Sequence, residues 1–180
     1  MKKLLKVVGI IALILIAAFL ITGLFVNGDI HIEREVSINK DKASVFNYIK
    51  FMEHQKEFSV WHKIDPDQVH IMKGTDGTVG AIHSWVSKND SVGEGEQEIK
   101  SIIEGDRIDF ELRFQKPDEM SCTAYFTTKV DGIGTKVLWG FDMNIPYPFN
   151  AFMLFTDMDE MLGPDLQGGL NNLKSILEKE

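Results

Sequence analysis

The sequence predicts an α+β protein in which an antiparallel sheet is covered by one long C-terminal helix, behind an apolar N-terminal segment. Three observations carry this. Segments between about residues 79 and 145 alternate apolar and polar side chains with period two. From Gly163 onward, Leu166, Leu170, Leu173, Ile176 and Leu177 recur at helical spacing, with Asp165, Gln167, Asn171, Asn172 and Lys174 between them. Residues 7 to 26 contain no charged side chain.

That uncharged run is long enough, at about 1.5 Å per residue, to cross a hydrocarbon core of about 30 Å. Lys2, Lys3 and Lys6 precede it, and Asp29, Glu33 and Glu35 follow. The charge asymmetry predicts a single-pass anchor with its amino end in the cytoplasm and the C-terminal domain on the extracytoplasmic side of the cell membrane. Val26-Asn27-Gly28 leaves a cleaved signal peptide as the alternative. The expected division is 1–28, a cytoplasmic stub and anchor, and 29–180, one folded domain.

The first strand is expected over His31–Ile38. A helix follows, capped by Asn39 or Asp41, with Ala43, Val45, Phe46, Ile49 and Phe51 on its apolar side. A second short helix falls over Met52–Phe58, Trp61 closes this section, and Asp65-Pro66-Asp67 turns the chain. Short strands over 69–72 and 80–86 lead to Gly93-Glu-Gly-Glu-Gln-Glu-Ile99. The glycine spacing there fits neither the dinucleotide nor the P-loop motif, so it reads as a strand with a bulge.

The clearest alternation comes next. Ile108, Phe110, Leu112 and Phe114 share one face; Met120, Cys122, Ala124, Phe126, Thr128 and Val130 share the next; Val137, Trp139, Phe141, Met143 and Ile145 complete the third. Pro146-Tyr-Pro-Phe149 stops the last strand. Ala151–Leu162 is expected to be helical, with Phe152, Phe155, Met158, Met161 and Leu162 along one side, and Gly163-Pro164 to kink that helix or divide it from the last.

Without Lys2, Lys3 and Lys6 the chain carries 16 basic and 27 acidic side chains, a formal charge of −11. Such a surface repels nucleic acid, so no nucleic-acid partner is expected. Cys122 is the one cysteine and reads as a buried thiol. No Cys-x-x-Cys or His-Glu-x-x-His pattern occurs, nor a Gly-x-Ser-x-Gly elbow, so neither a metal nor a cofactor is predicted. The cluster Asp157, Asp159, Glu160 and Asp165 reads as a solvated helix face.

The order of elements resembles the START-like helix-grip superfamily (SRPBCC), most nearly its polyketide cyclase/dehydrase and lipid-transport family. The resemblance rests on Ile38 with Ala43-Ser-Val-Phe46, Trp61, Gly80 with Trp85, the 93–99 segment, Gly134-Thr-Lys-Val-Leu-Trp139 and Gly169-Leu-Asn-Asn-Leu-Lys174, and covers about residues 30–179. It implies a curved seven-stranded antiparallel sheet gripping the long helix around an internal cavity.

The expected function is binding or carriage of an apolar or amphipathic small molecule, such as a lipid, in a domain tethered to the membrane through residues 7–26. Phe110, Leu112, Phe126, Trp139, Phe141 and Met143 are the sheet-side lining candidates, with Phe152, Phe155, Met158, Met161 and Leu162 on the helix side. Two alternatives stand beside it: a cyclase- or hydrolase-like enzyme on a cyclic or polyketide-like substrate, and a ligand-free interaction module with a filled core. For the enzyme, His62 is the first choice of general base among His54, His62, His70 and His83, with Asp142 and Glu98 as carboxylate companions.

Overall fold

The structure, a computed structural model, describes residues 1–179. It divides into two compact units: Met1–Ile30 with Asn144–Met158, and His31–Met143 with the chain from Asp159 on. The apolar N-terminal helix thus groups with a segment that the sequence assigns to the C-terminal domain.

One seven-stranded sheet is built from β1 (Asp29–Ile38), β2 (Val69–Lys73), β3 (Ile82–Val86), β4 (Glu94–Ile103), β5 (Arg107–Lys116), β6 (Met120–Asp131) and β7 (Gly134–Asn144), in the spatial order β1-β7-β6-β5-β4-β3-β2. The pairs from β2 through β7 are antiparallel. Alternation fixes which face each side chain takes, because a slip of one residue would turn the whole apolar set to water. Ile108 therefore faces Phe126, Phe110 faces Ala124 and Leu112 faces Cys122, while Phe126 and Ala124 in turn face Trp139 and Phe141. Val130 at the end of β6 departs from expectation and is exposed, since its strand outruns the covered part of the sheet.

The opposite face is charged. Arg113 donates to Glu96, Glu98 and Glu111 at 2.7, 2.9 and 2.5 Å, which holds its guanidinium more firmly protonated than usual. Glu98 lies in this network with Lys100, and Asp142 pairs with His31 at 2.5 Å. Neither carboxylate therefore serves as companion to His62.

Glycine in the 93–99 segment is explained by close approach. Gly93 takes a left-handed φ of 66°, and a Cβ there would fall 2.0 Å from the Lys116 carbonyl. A register shift follows between Glu94 and Gly95, the bulge anticipated from the sequence.

Helix α1 spans Lys2–Gly23, and α2 spans Lys42–Ile49. Asp41 caps α2 by accepting from the Ser44 amide at 2.9 Å. Val45, Phe46 and Ile49 are buried, whereas Ala43 and Phe51 are exposed. The expected helix over 52–58 is a 3-10 turn, Met52–His54, running into α3 (Gln55–Phe58), and a further short helix, α4 (Val60–Ile64), carries Trp61 and His62.

The largest departure lies after β7. Ala151–Leu162 is not one helix: Phe149–Leu154 is a 3-10 turn, and α5 runs unbroken over Met158–Leu177 with Pro164 inside it. The break thus precedes Met158 instead of falling at Gly163-Pro164. Arg34 of β1 holds the first turn through both Asp159 carboxylate oxygens, at 2.8 and 2.7 Å, and its guanidinium crosses where a Cβ on Gly163 would lie only 1.9 Å away. Leu166, Leu170, Leu173 and Leu177 are fully buried, each contributing about 1.5–3 kcal/mol by the usual transfer scale.

Within the first unit, Asn150 joins the two segments. Its amide donates to the carbonyls of Gly23 and Val26 at 2.8 and 2.7 Å, and the Ile145 amide donates to Gly28 at 2.9 Å. A Cβ on Gly28 would sit 2.1 Å from the Ile145 carbonyl, so only glycine permits this approach.

Candidate functional site

The covered face of the sheet carries an aromatic cluster centred on Trp139. Its ring lies 4.9 Å from Phe126, 5.8 Å from Phe58, 5.9 Å from Trp61 and 6.1 Å from Phe141, mostly in edge or tilted contact. Such arrangements suit the ring quadrupoles and add to the burial energy. Phe110 extends the cluster through Phe126 at 6.2 Å. Helix α5 meets it at Gly169, where a Cβ would stand 2.7 Å from the Trp139 ring. Asn172 of α5 donates to the Phe58 carbonyl at 2.9 Å and so fixes the end of α3 over the cluster.

This face is buried along three rows, with closure that falls by a few per cent from one end to the other. Across β5, β6 and β7, Ile108, Phe126 and Trp139 retain 0, 1 and 5% of their accessible surface, and Phe110, Ala124 and Phe141 retain 2, 3 and 8%. Leu112, Cys122 and Met143 retain 8, 6 and 8%, and Met120 beyond them reaches 39%. All nine side chains of the three rows are buried, and the row at Leu112 is closed slightly less completely than the row at Ile108.

A polar cluster continues the same row. His83 faces Gln97 on β4, and Gln97 faces Leu112 on β5. The Gln97 amide donates to Gln55 at 2.8 Å and lies 3.4 Å from His83 Nδ1. His62 of α4, His70 of β2 and His83 of β3 stack nearly parallel, with centroids 4.7 Å apart for the first pair and 5.0 Å for the second. Burial pushes His62 and His83 down to about 4, aided by the neighbouring histidines and Lys56, and lowers His70 as well. All three rings are neutral at pH 7. Both nitrogens of His62, Nδ1 of His70 and Nε2 of His83 are buried without a hydrogen-bond partner.

Parallel rings aim their lone pairs side by side instead of at one point. Among the described residues no group of three or more His, Cys, Asp or Glu is arranged to hold a metal ion. A base as weak as His62 in this stack is also poorly matched to proton abstraction near neutral pH. His54 is elsewhere, stacked on Tyr48 at 4.3 Å and bonded to that residue's carbonyl.

The structure thus gathers Phe110, Leu112, Phe126, Trp139, Phe141 and Met143 on one face. Of the helix-side candidates, Met161 is exposed and Leu162 half-buried in the second unit. Phe152, Phe155 and Met158 belong to the first unit, where Phe155 is 85% exposed. Phe58 and Gln55 carry no site expectation in the sequence, Gln97 and Gly169 enter it only within the 93–99 and 169–174 segments, and His70 and His83 only as isolated bases. The paired glycines 168–169 inside an otherwise apolar helix stripe were the available signal for a ring packed against the helix.

Burial pushes the Cys122 thiol up to about 12 from about 9. Alkylation of the native protein is therefore expected to run on the order of a thousandfold slower than for a free cysteine, because the thiolate is the nucleophile. Prompt labelling under native conditions, followed by mass spectrometry, would show that this row of the sheet is open to bulk solvent.

No family model and no curated protein matches the sequence. Solved structures do match: 214 chains share the architecture, so the assignment does not hang on one neighbour. The Aha1 dimer from Colwellia psychrerythraea is similar at TM-score 0.58 and 14% identity, over 83% of this chain and 96% of that one. The fold is a helix grip. Protein Mll3558 from Rhizobium loti matches at TM-score 0.58 and 16% identity, covering 82% of this chain and 96% of its own. Ginseng major latex-like protein 151 from Panax ginseng matches at 0.56 and 16%, covering 82% and 97%. At these identities the likeness extends to the helix-grip fold and not to an activity.

Proposed function

We propose that this helix-grip domain binds an apolar or amphipathic small molecule at the Leu112 end of its covered sheet face, and that α1 holds the protein in a membrane. The carrying observation is the graded closure of the inner face. Leu112, Cys122 and Met143 keep 8, 6 and 8% of their surface, against 0 to 2% for Ile108, Phe110 and Phe126, beside an aromatic wall of Trp61, Trp139 and Phe141. Gln97 and the neutral histidines supply uncharged polar groups at one side, which suits a ligand with an apolar body and an uncharged polar end. Carriage, rather than chemistry, is favoured by the low basicity of the stacked rings.

α1 is the one helix among the described residues long and apolar enough to cross a bilayer. Retention of this segment is supported by the bonding of Gly23, Val26 and Gly28 into the first unit, since cleavage near Val26-Asn27-Gly28 would sever those contacts. The lysines ahead of α1 favour an amino end in the cytoplasm.

Native mass spectrometry of the full chain in mild detergent is expected to return an apolar adduct. Leu112→Trp adds bulk at that end of the face and should weaken uptake of an apolar fluorescent probe by more than about tenfold, or about 1.4 kcal/mol, under conditions where the variant remains folded. A clean apo mass, together with no probe uptake by the wild type, would sink the binding reading.

A further inference from the structure

The most apolar exposed surface outside α1 lies in the first unit and is used by nothing described so far. From Met143 to Thr156 the chain has no charged side chain. Tyr147, Phe149, Phe152, Leu154 and Phe155 are all more than half exposed, between 51 and 85%. Scattered exposed apolar residues are ordinary, but five large ones within nine positions form a patch that calls for a partner.

The placement of this segment identifies the partner. The Phe152 ring lies 5.0 Å from Phe19 of α1, and Asn150 bonds the carbonyls of Gly23 and Val26. On α1 and its extension, Phe19, Thr22, Gly23 and Val26 lose exposure, at helical spacing, whereas every residue from Met1 to Ala18 is exposed. The segment therefore packs along the last turns of α1 as well as at its tip. Phe19 is four residues inside the C-terminal end of that helix, about 6 Å down its axis. Where α1 spans a bilayer, Phe152 beside Phe19 lies below the membrane surface as a matter of geometry.

We propose that Tyr147–Phe155 is a second membrane-contacting element, a short aromatic wedge seated in the interfacial layer of the lipid bilayer around the end of α1. The occupant of the exposed patch is phospholipid at the boundary of headgroup and acyl chain. Aromatic side chains favour that layer, because their rings are apolar while a group such as the Tyr147 hydroxyl stays hydrated. Lack of charge over the whole stretch removes the cost of bringing it there. A backbone that is only a short 3-10 turn is suited to lying in the interface, where water still satisfies its amides, and unsuited to the bilayer interior. The proposal rests on the reading of α1 as a membrane span, and the test separates the two.

The experiment uses the full chain in phospholipid nanodiscs with Cys122→Ala as background. An environment-sensitive fluorophore is attached in turn through Phe149→Cys, Phe155→Cys and Ile14→Cys, the first two at exposed positions that tolerate change and the third in the middle of α1. Quenching is read with nitroxide lipids labelled near the headgroup or near the acyl terminus, and with aqueous iodide. The expected result is that labels at 149 and 155 are quenched several-fold more by the headgroup-proximal nitroxide than by the deep one, and are shielded from iodide. The label at 14 should respond to the deep nitroxide.

Iodide quenching at both 149 and 155, with the label at 14 still in lipid, would overturn the wedge and leave the anchor standing. Shielding at 149 and 155 from lipid and iodide alike would mean that protein covers the patch, which also overturns the proposal. Absence of lipid quenching at 14 would overturn the anchor and the wedge together.

Discussion

Trp139→Ala is expected to lower stability by about 3–5 kcal/mol, the range for losing a large aromatic side chain from a closed site. For a domain of this size that is a fall in melting temperature of roughly 6–20 °C. Trp139 touches Phe58, Trp61, Phe126 and Phe141 and lies against Gly169, so its removal unseats α3, α4 and α5 at once. Leu112→Ala, on the same face but slightly less completely buried, should cost about 2 kcal/mol, the low end of the range for buried leucine. Thermal melts of both variants in one detergent check the contrast. Equal losses would mean that the sheet face is uniformly packed, and a Trp139→Ala melt close to wild type would mean that the cluster does not carry the fold.

Acid should destabilise the protein well before its carboxylates are protonated. His62 and His83 fall to about 4 in the folded protein, against about 6.5 when the chain is unfolded. Between these values the unfolded chain binds more protons than the folded one, so stability is whole above pH 6.5 and declines as pH falls toward 4. The slope approaches about 1.4 kcal/mol per pH unit for a fully buried ring. His83 contributes most; His62, which is only partly buried, contributes less, and mutual repulsion in the stack keeps the two from adding in full. Groups acting on the stack include Lys56, which disfavours its protonation, and Asp76, which favours it at His83. Denaturant midpoints between pH 4 and 7 for the wild type and for His62→Phe/His83→Gln measure the effect. The double variant should show a distinctly flatter profile; identical slopes would remove the histidines as its source.

Much of this architecture was legible because its strands write themselves in period two. Phe110, Leu112, Cys122, Ala124, Phe126, Trp139 and Phe141 could be assigned to one face from alternation alone, and the leucines of α5 from helical spacing. What failed did so for identifiable reasons. Phe152, Phe155 and Met158 mimic a helical stripe, but the prolines at 146 and 148 start a 3-10 turn, and Arg34, distant in sequence, ties down the true start of α5. The five-residue α4 is too short to register a period. The histidine column was invisible because its three members come from a helix and two strands, and nothing local to 62, 70 or 83 marks them as neighbours. The association of residues 144–158 with α1 was likewise hidden, since it depends on one asparagine reaching two distant carbonyls.

The uneven closure of the inner face also separates two pressures on the sequence. Positions 108, 126, 139 and 170 are constrained by cohesion and admit few alternatives. Positions 112, 122 and 143 are closed slightly less completely, so exchanges among leucine, methionine, cysteine and valine there should be tolerated more readily and would alter the shape offered to the proposed guest. A lineage carrying this chain is thereby free to drift in what it accommodates without first acquiring compensating mutations. Variation among descendants should accumulate at the rim and spare the floor.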